Sequence, residues 1–71
     1  RYDEAEKEFR EAIRINPDDA EVHGNLGFLL ADQRRYAEAR EHLTRAADLF
    51  EKQGRPGDAR KVRDLLEELP E

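Results

Sequence analysis

The sequence repeats itself at an interval of 34 residues, and this interval restricts the possible folds more than any other feature. Large apolar residues align with apolar ones, as Phe9 does with Leu43 and Ile15 with Leu49. Five further residues recur unchanged: Arg1, Tyr2, Glu4, Ala5 and Ala12 return as Arg35, Tyr36, Glu38, Ala39 and Ala46. Because the shared apolar and small positions fall on one helical face, the interval indicates a repeated helical unit.

Four segments have the three- and four-residue spacing of apolar positions that is typical of amphipathic helices. No segment alternates with the two-residue period of a strand, so the sequence predicts an all-α chain. The expected helices cover about residues 2–15, 19–33 and 36–53, and a fourth runs from Pro56 or Gly57 to residue 69. Gly54 suits a left-handed helix cap in the breaker "GRPGD".

The turn "NPDD" separates the first two expected helices. Pro17 cannot continue a helix and disfavours helical backbone at Asn16. Asp18 is then predicted to cap the second helix, with Glu21 three residues later completing a capping box.

Composition narrows the class of partner. The 71 residues make one domain or part of one, 44% of them are charged, and the formal net charge is −5. An acidic chain lacks the basic surface that attracts nucleic acid or an anionic membrane, so we expect neither as a partner. The longest apolar run, "FLLA", is too short for a membrane span. The absence of cysteine excludes disulfides and is compatible with the cytosol.

The residues that carry most enzyme chemistry are missing or scattered. There is no Ser, and Thr44 is the only Thr, so a Ser–His–Asp arrangement is impossible. His23 and His42 are not spaced as zinc ligands; we expect His23 in the core and His42 on a solvent face. Asp18–Asp19 fits helix capping, and Arg34–Arg35 fits a solvated helix end. The prediction is a non-enzyme with no metal and no cofactor.

Two quoted stretches carry a family resemblance. "HGNLGFLL" has Leu26 and Gly27 at the spacing of a first repeat helix, and "YAEAREHLTRAA" has Tyr36, Ala39 and Ala46 at that of the second. With the 34-residue interval, these resemble the tetratricopeptide repeat. The upstream piece "YDEAEKEFREAIRINP" matches the second helix of that repeat through Tyr2, Ala5, Phe9, Ala12 and Pro17.

The resemblance implies an antiparallel helix-turn-helix α-solenoid fragment of about four helices. Residues 1–17 correspond to the second helix of a partial repeat, residues 18–53 to a complete hairpin, and residues 54–71 to a C-terminal capping helix. Gly27 is expected opposite Ala39, where the absence of a side chain lets the two helices of the hairpin close. Gly24 either allows a close approach of ligand or backbone, or is simply tolerated.

The resemblance also implies a concave groove that holds a peptide or helix of a partner protein. Projected onto this chain, its residues are Glu21, Gly24, Asn25, Phe28 and Asp32. Phe28 is either an exposed anchor or a residue packed under a neighbouring helix. Because Glu21 and Asp32 stand where carboxylate-gripping members have Lys or Arg, no such clamp is expected, and a neutral or basic partner is favoured.

A self-association module is the alternative prediction. The first helix lacks its partner within the repeat, so its apolar flank is expected to be partly open. Burial of that flank by a second copy would form a homodimer. The residues concerned are Tyr2, Ala5, Phe9 and Ala12.

Overall fold

The computed structural model describes residues 1–70 and contains four α-helices within them. They are α1 (Tyr2–Ile15), α2 (Ala20–Asp32), α3 (Tyr36–Lys52) and α4 (Pro56–Glu68). No strand occurs in this range. The all-α prediction is therefore confirmed, and each helix begins and ends within one residue of the expected bounds. Glu71, the last residue of the expected capping segment, lies outside the described residues.

The hairpin of α2 and α3 forms the centre of the core. Leu26 and Leu30 of α2 and Leu43 of α3 are completely buried. The α2–α3 interface is the most extensive, α3–α4 is second, and α1–α2 is smaller. No residue of α1 is fully buried. The hairpin is thus the element onto which the two outer helices pack.

Gly27 allows α2 and α3 to approach closely. A Cβ atom at this position would lie 2.6 Å from both Cγ and Cδ2 of Leu43 and 3.3 Å from its backbone nitrogen. Leu43 therefore lies opposite Gly27, and the prediction of Ala39, one helical turn earlier on α3, is wrong. Helical side chains lean towards the N-terminus of their helix, so Leu43 reaches back to cover Gly27.

Gly24 differs from Gly27 in what surrounds it. It is buried, but a Cβ atom there would lie 3.8 Å from the Cβ atom of Ala46, which is an ordinary contact distance. Packing within the chain therefore requires a glycine at position 27 but not at position 24.

The N-terminus of α2 is capped by Asp19 and not by the expected Asp18. The Asp19 carboxylate accepts a hydrogen bond from the Val22 N–H at 3.1 Å. The Asp19 N–H donates to the Asn16 carbonyl at 3.2 Å, which closes a turn with Pro17 and Asp18 at its two central positions. This turn uses Asp18, so the cap moves one residue on, and the predicted capping box with Glu21 is absent.

Helices α2 and α3 end in the same way. Arg34 follows α2 with a φ of 63°, and Gly54 follows α3 with a φ of 73°. In both cases the next residue donates its backbone N–H to a carbonyl five positions earlier, at 2.9 Å for Arg35 and 2.8 Å for Arg55. These are Schellman motifs. The left-handed cap predicted at Gly54 is present, whereas arginine at the equivalent position of α2 is unfavourable.

Ion pairs supplement the limited apolar packing of α1. Phe9 and Ile13 are half-buried against the core. The Glu6 carboxylate accepts hydrogen bonds from Arg35 at 2.9 Å and from Arg10 at 3.0 Å. Both hydrogen bonds lower the pKa of Glu6, and the one from Arg35 has the larger effect. Arg35 therefore links α1 to the start of α3 instead of lying free in solvent as expected.

Replacement of the two α2 glycines by alanine is expected to change stability in opposite directions. Gly27→Ala should lower the free energy of unfolding by about 1–3 kcal/mol, because its Cβ atom overlaps Leu43. Gly24→Ala should raise it by about 0.5–1 kcal/mol, because helix propensity improves without a clash. Urea denaturation of the two variants and the parent chain measures both changes. Equal effects of the two substitutions would contradict the assigned contacts.

The two Schellman motifs provide a second matched pair of substitutions. Arg34→Gly should stabilise the chain by about 0.5–1 kcal/mol, since glycine adopts positive φ without a Cβ penalty. Gly54→Ala should destabilise it by about 1 kcal/mol, although nothing lies within 4 Å of the new Cβ atom. Thermal unfolding measures both effects. A stabilised Gly54→Ala variant would show that α3 does not need this cap.

Candidate functional site

A concavity of about 280 Å³ lies where α2, the end of α3 and the start of α4 meet. Helix α2 forms one wall, and the end of α3 together with the start of α4 forms the other. The lining residues are Glu21, Gly24, Asn25, Phe28, Phe50, Asp58, Lys61 and Val62.

Four of the five residues predicted for a groove line this concavity. Asp32 is not among them, and its carboxylate lies 3.5 Å from the Tyr2 hydroxyl at the α1 side of the molecule. Gly24 contributes backbone to the concavity while packing on α3. The groove assignment itself stays a prediction, but its α2 residues lie together.

Phe28 is exposed over 58% of its surface. Of the two interpretations open from the sequence, the structure therefore has the exposed one, because no neighbouring helix covers the ring. Phe50 and Val62 form the apolar floor and are nearly buried. The concavity thus combines an exposed aromatic ring with a preformed apolar surface.

Arg55 neutralises the acidic side of the concavity. Its guanidinium lies 3.1 Å from the Glu21 carboxylate and 2.9 Å from the Asp58 carboxylate. It also lies over the Phe50 ring, with 4.7 Å between the guanidinium carbon and the ring centroid. The hydrogen bond to Glu21 is the main reason that the pKa of Arg55 is raised.

Lys61 is the charged lining residue that has no ion-pair partner within residues 1–70. It was not predicted from the sequence, and neither were Phe50, Asp58 and Val62, because these residues come from α3 and α4. Phe50 and Val62 had been recognisable only as members of apolar helix faces. Their place beside Phe28 depends on how α4 packs against α3.

The two histidines form a pair across the hairpin. The rings stack with centroids 5.4 Å apart, and their Nδ1 atoms are separated by 3.2 Å. His23 is buried as expected, and its Nε2 lies 2.8 Å from the Pro17 carbonyl oxygen. His42 is half-buried against His23, so its predicted place on a solvent face is wrong. His42 lies three residues after Ala39 and four before Ala46, which are both buried, so its side chain lies on the buried side of α3.

Burial and a neighbouring imidazole make His42 harder to protonate. Its pKa is lowered by desolvation first, then by His23 and by Arg10 of α1, whereas Glu41 and Glu38 act in the opposite direction. Within residues 1–70 there is no group of three or more His, Cys, Asp or Glu side chains that could hold a metal ion. The pair therefore offers two nitrogen atoms and no third ligand.

The residues predicted for self-association lie on α1 with unequal exposure. Tyr2 is 50% exposed, whereas Ala5, Phe9 and Ala12 are half-buried. Phe9 packs against the core, so its side chain contributes to the stability of this chain itself. Self-association through this face stays a prediction.

Comparison with known proteins identifies the family. The sequence model of the tetratricopeptide repeat matches residues 1–52, which is more than half of the chain. The four-helix structure with its central hairpin agrees with this match. The chain belongs to the tetratricopeptide repeat family, a family of protein-interaction repeats. The matched range contains α1, α2 and α3, and α4 lies beyond it.

A curated relative is much longer than this chain. The chain is 39% identical over 57 residues to the Drosophila melanogaster protein titled "Protein O-mannosyl-transferase Tmtc3". The match covers 80% of this chain and 6% of the relative's length. The transferase activity in that title is the relative's.

No solved structure matches the chain significantly. No helix within residues 1–70 is both long enough and apolar enough to cross a membrane.

Proposed function

We propose that this chain is a non-catalytic interaction module whose concavity binds a segment of a partner protein. The observation that carries the proposal is the exposed Phe28 ring above the floor of Phe50 and Val62. Family membership supports the general role, and the geometry supports this surface as the place where binding occurs.

An apolar side chain of the partner is the expected anchor. Aromatic residues in partly enclosed sites often contribute most of the free energy of binding. A partner side chain that fills the space between Phe28 and Val62 would remove the exposed ring from water. The floor is preformed by the α3–α4 contact, so little ordering is needed on binding.

The charge of the partner is proposed from the ion pairs. The sequence-based preference for a neutral or basic segment depended on Glu21 and Asp32. Glu21 is paired with Arg55, and Asp32 lies outside the concavity, so the unpaired Lys61 ammonium is the local charge that a partner meets. We therefore propose a partner segment with a carboxylate next to its apolar anchor. The effect is a modest preference, since Lys61 is exposed and screened by salt.

Helix α4 supports the concavity and is proposed as the cap of the repeat. Ala59 and Val62 are buried against α3, and Leu65, Leu66 and Leu69 are partly buried beside them. The side of α4 that faces away from α3 carries exposed charged residues: Arg60, Asp64, Glu67 and Glu68. A terminal helix with one apolar and one charged side closes a repeat stack in this way.

Selection from a random 12-residue peptide display library tests the proposed site. Enriched peptides should pair an apolar residue with Asp or Glu, and Phe28→Ala should weaken their binding at least tenfold, about 1.4 kcal/mol. Ile15→Ala is the matched control, since Ile15 is 69% exposed on α1 away from the concavity. Fluorescence polarisation with the synthetic peptides measures both. Equal losses in the two variants would contradict the proposed site.

The same peptides test the charge preference. Lys61→Glu should weaken binding of the acidic peptides and favour variants that carry Lys or Arg instead, whereas Lys52→Glu, outside the lining, should change neither.

Sedimentation equilibrium on the free chain tests the self-association alternative. A dimer dissociated by Tyr2→Arg, together with no peptide enrichment, would favour that alternative over the proposal.

A further inference from the structure

The His23–His42 pair is part of a continuous hydrogen-bonded chain. It starts at the Pro17 carbonyl in the α1–α2 turn, 2.8 Å from His23 Nε2, and continues across the 3.2 Å gap to His42 Nδ1 on α3. Three separate parts of the fold are thereby joined through two side chains. Neither imidazole belongs to the concavity, and the proposed peptide binding does not use them.

The chemistry of the atoms fixes the positions of the protons. A carbonyl oxygen can only accept, so His23 Nε2 must carry a hydrogen. In a neutral His23 the Nδ1 atom is then an acceptor, and His42 Nδ1 must donate to it. Each imidazole is thus held in one defined tautomer.

The chain of hydrogen bonds tolerates one added proton but not two. The first can bind at His42 Nε2 and leave the Nδ1–H donor of His42 in place. The second would have to bind at His23 Nδ1, where two N–H groups would face each other across the 3.2 Å gap. With two protons the contact between the rings becomes a repulsion between two cations.

The surroundings supply no strong compensation for a second charge. Arg10 of α1 adds positive charge near His42, while Glu38 and Glu41 of α3 oppose it. The Glu38 carboxylate is already engaged by Arg35 at 2.8 Å and by Arg10 at 3.4 Å. From α2 the facing group is His23 itself.

We propose that the His23–His42 pair is a pH-sensitive latch. It ties the α1–α2 turn to α3 while the pair holds no proton or one, and it opens when the pair is doubly protonated. The contact that opens lies between α2 and α3, because the His23 Nε2–H can still donate to the Pro17 carbonyl after the second proton binds. Mild acidification therefore weakens the packing of α2 on α3 beside the α1–α2 turn.

Linkage gives the direction of the effect. The pKa of His42 is lowered in the folded chain from its ordinary value of 6.5. Below that pH the unfolded chain binds more protons at His42 than the folded chain does, so stability falls as the pH falls. A difference of one proton raises the unfolding equilibrium constant by up to about tenfold per pH unit. Glu6, with a lowered pKa, responds only at lower pH.

The tautomers are tested on the unmodified 71-residue chain. Long-range ¹H–¹⁵N correlation spectra at pH 8 should show hydrogen on Nε2 of His23 and on Nδ1 of His42. The opposite tautomer at His42 would overturn the proposal, because the hydrogen bond between the rings would then be impossible in the neutral pair. This measurement does not depend on any variant folding.

The pH dependence is tested with His42→Gln, in which an amide can donate to His23 Nδ1 or accept from it. Urea denaturation between pH 8 and 5 should show the steep loss of stability in the parent chain and a clearly smaller one in His42→Gln. Glu67→Gln, an exposed site on α4, is the control and should behave like the parent. The same pH dependence in all three chains would overturn the latch.

Amide hydrogen exchange tests which contact is released. In the parent chain at pH 5.5, protection should fall first at the start of α2, where the His23 N–H donates to the Asp19 carbonyl. Protection along α4 should persist. In His42→Gln the pattern should stay as at pH 7.5. Loss of protection that begins in α4 would contradict the proposed role of the pair.

Discussion

The close contact between Gly27 and Leu43 is the constraint on which the rest of the structure depends. A hairpin whose helices can approach this closely buries Leu26, Leu30 and Leu43 completely. That buried centre is the surface onto which α4 and α1 then pack. The concavity exists because α4 packs against α3 and leaves the Phe28 side of α2 uncovered. A glycine within a helix is unfavourable locally, and here it is offset by tertiary packing.

The helices were predictable because their apolar spacing and their breakers are local properties. The 34-residue interval also identified the hairpin, and Gly54 identified a cap. The predictions that were wrong depended on differences of a few ångströms in the positions of atoms. Whether Asp18 or Asp19 caps α2 is decided by the turn after Pro17, and whether Ala39 or Leu43 covers Gly27 is decided by the lean of helical side chains.

The candidate site was likewise only partly predictable from the sequence. Its α2 members, Glu21, Gly24, Asn25 and Phe28, were grouped by projecting the groove implied by the family resemblance onto one helix. Its members from α3 and α4 could not, since no local pattern gives the packing of separate helices. The charge that the concavity presents to a partner was not predicted for the same reason, because Arg55 pairs with Glu21 from 34 positions later in the sequence. The His23–His42 contact is another tertiary pairing that spacing alone did not show.

Native-state amide hydrogen exchange at neutral pH ranks the stability of each helix in the intact chain, and so tests whether the outer helices depend on the hairpin. We expect the slowest exchange in α2 and α3 around Leu26, Leu30 and Leu43, intermediate exchange in α4, and the fastest exchange in α1. Exchange in α1 as slow as in the hairpin would contradict the claim that the Gly27–Leu43 contact supports the rest of the fold.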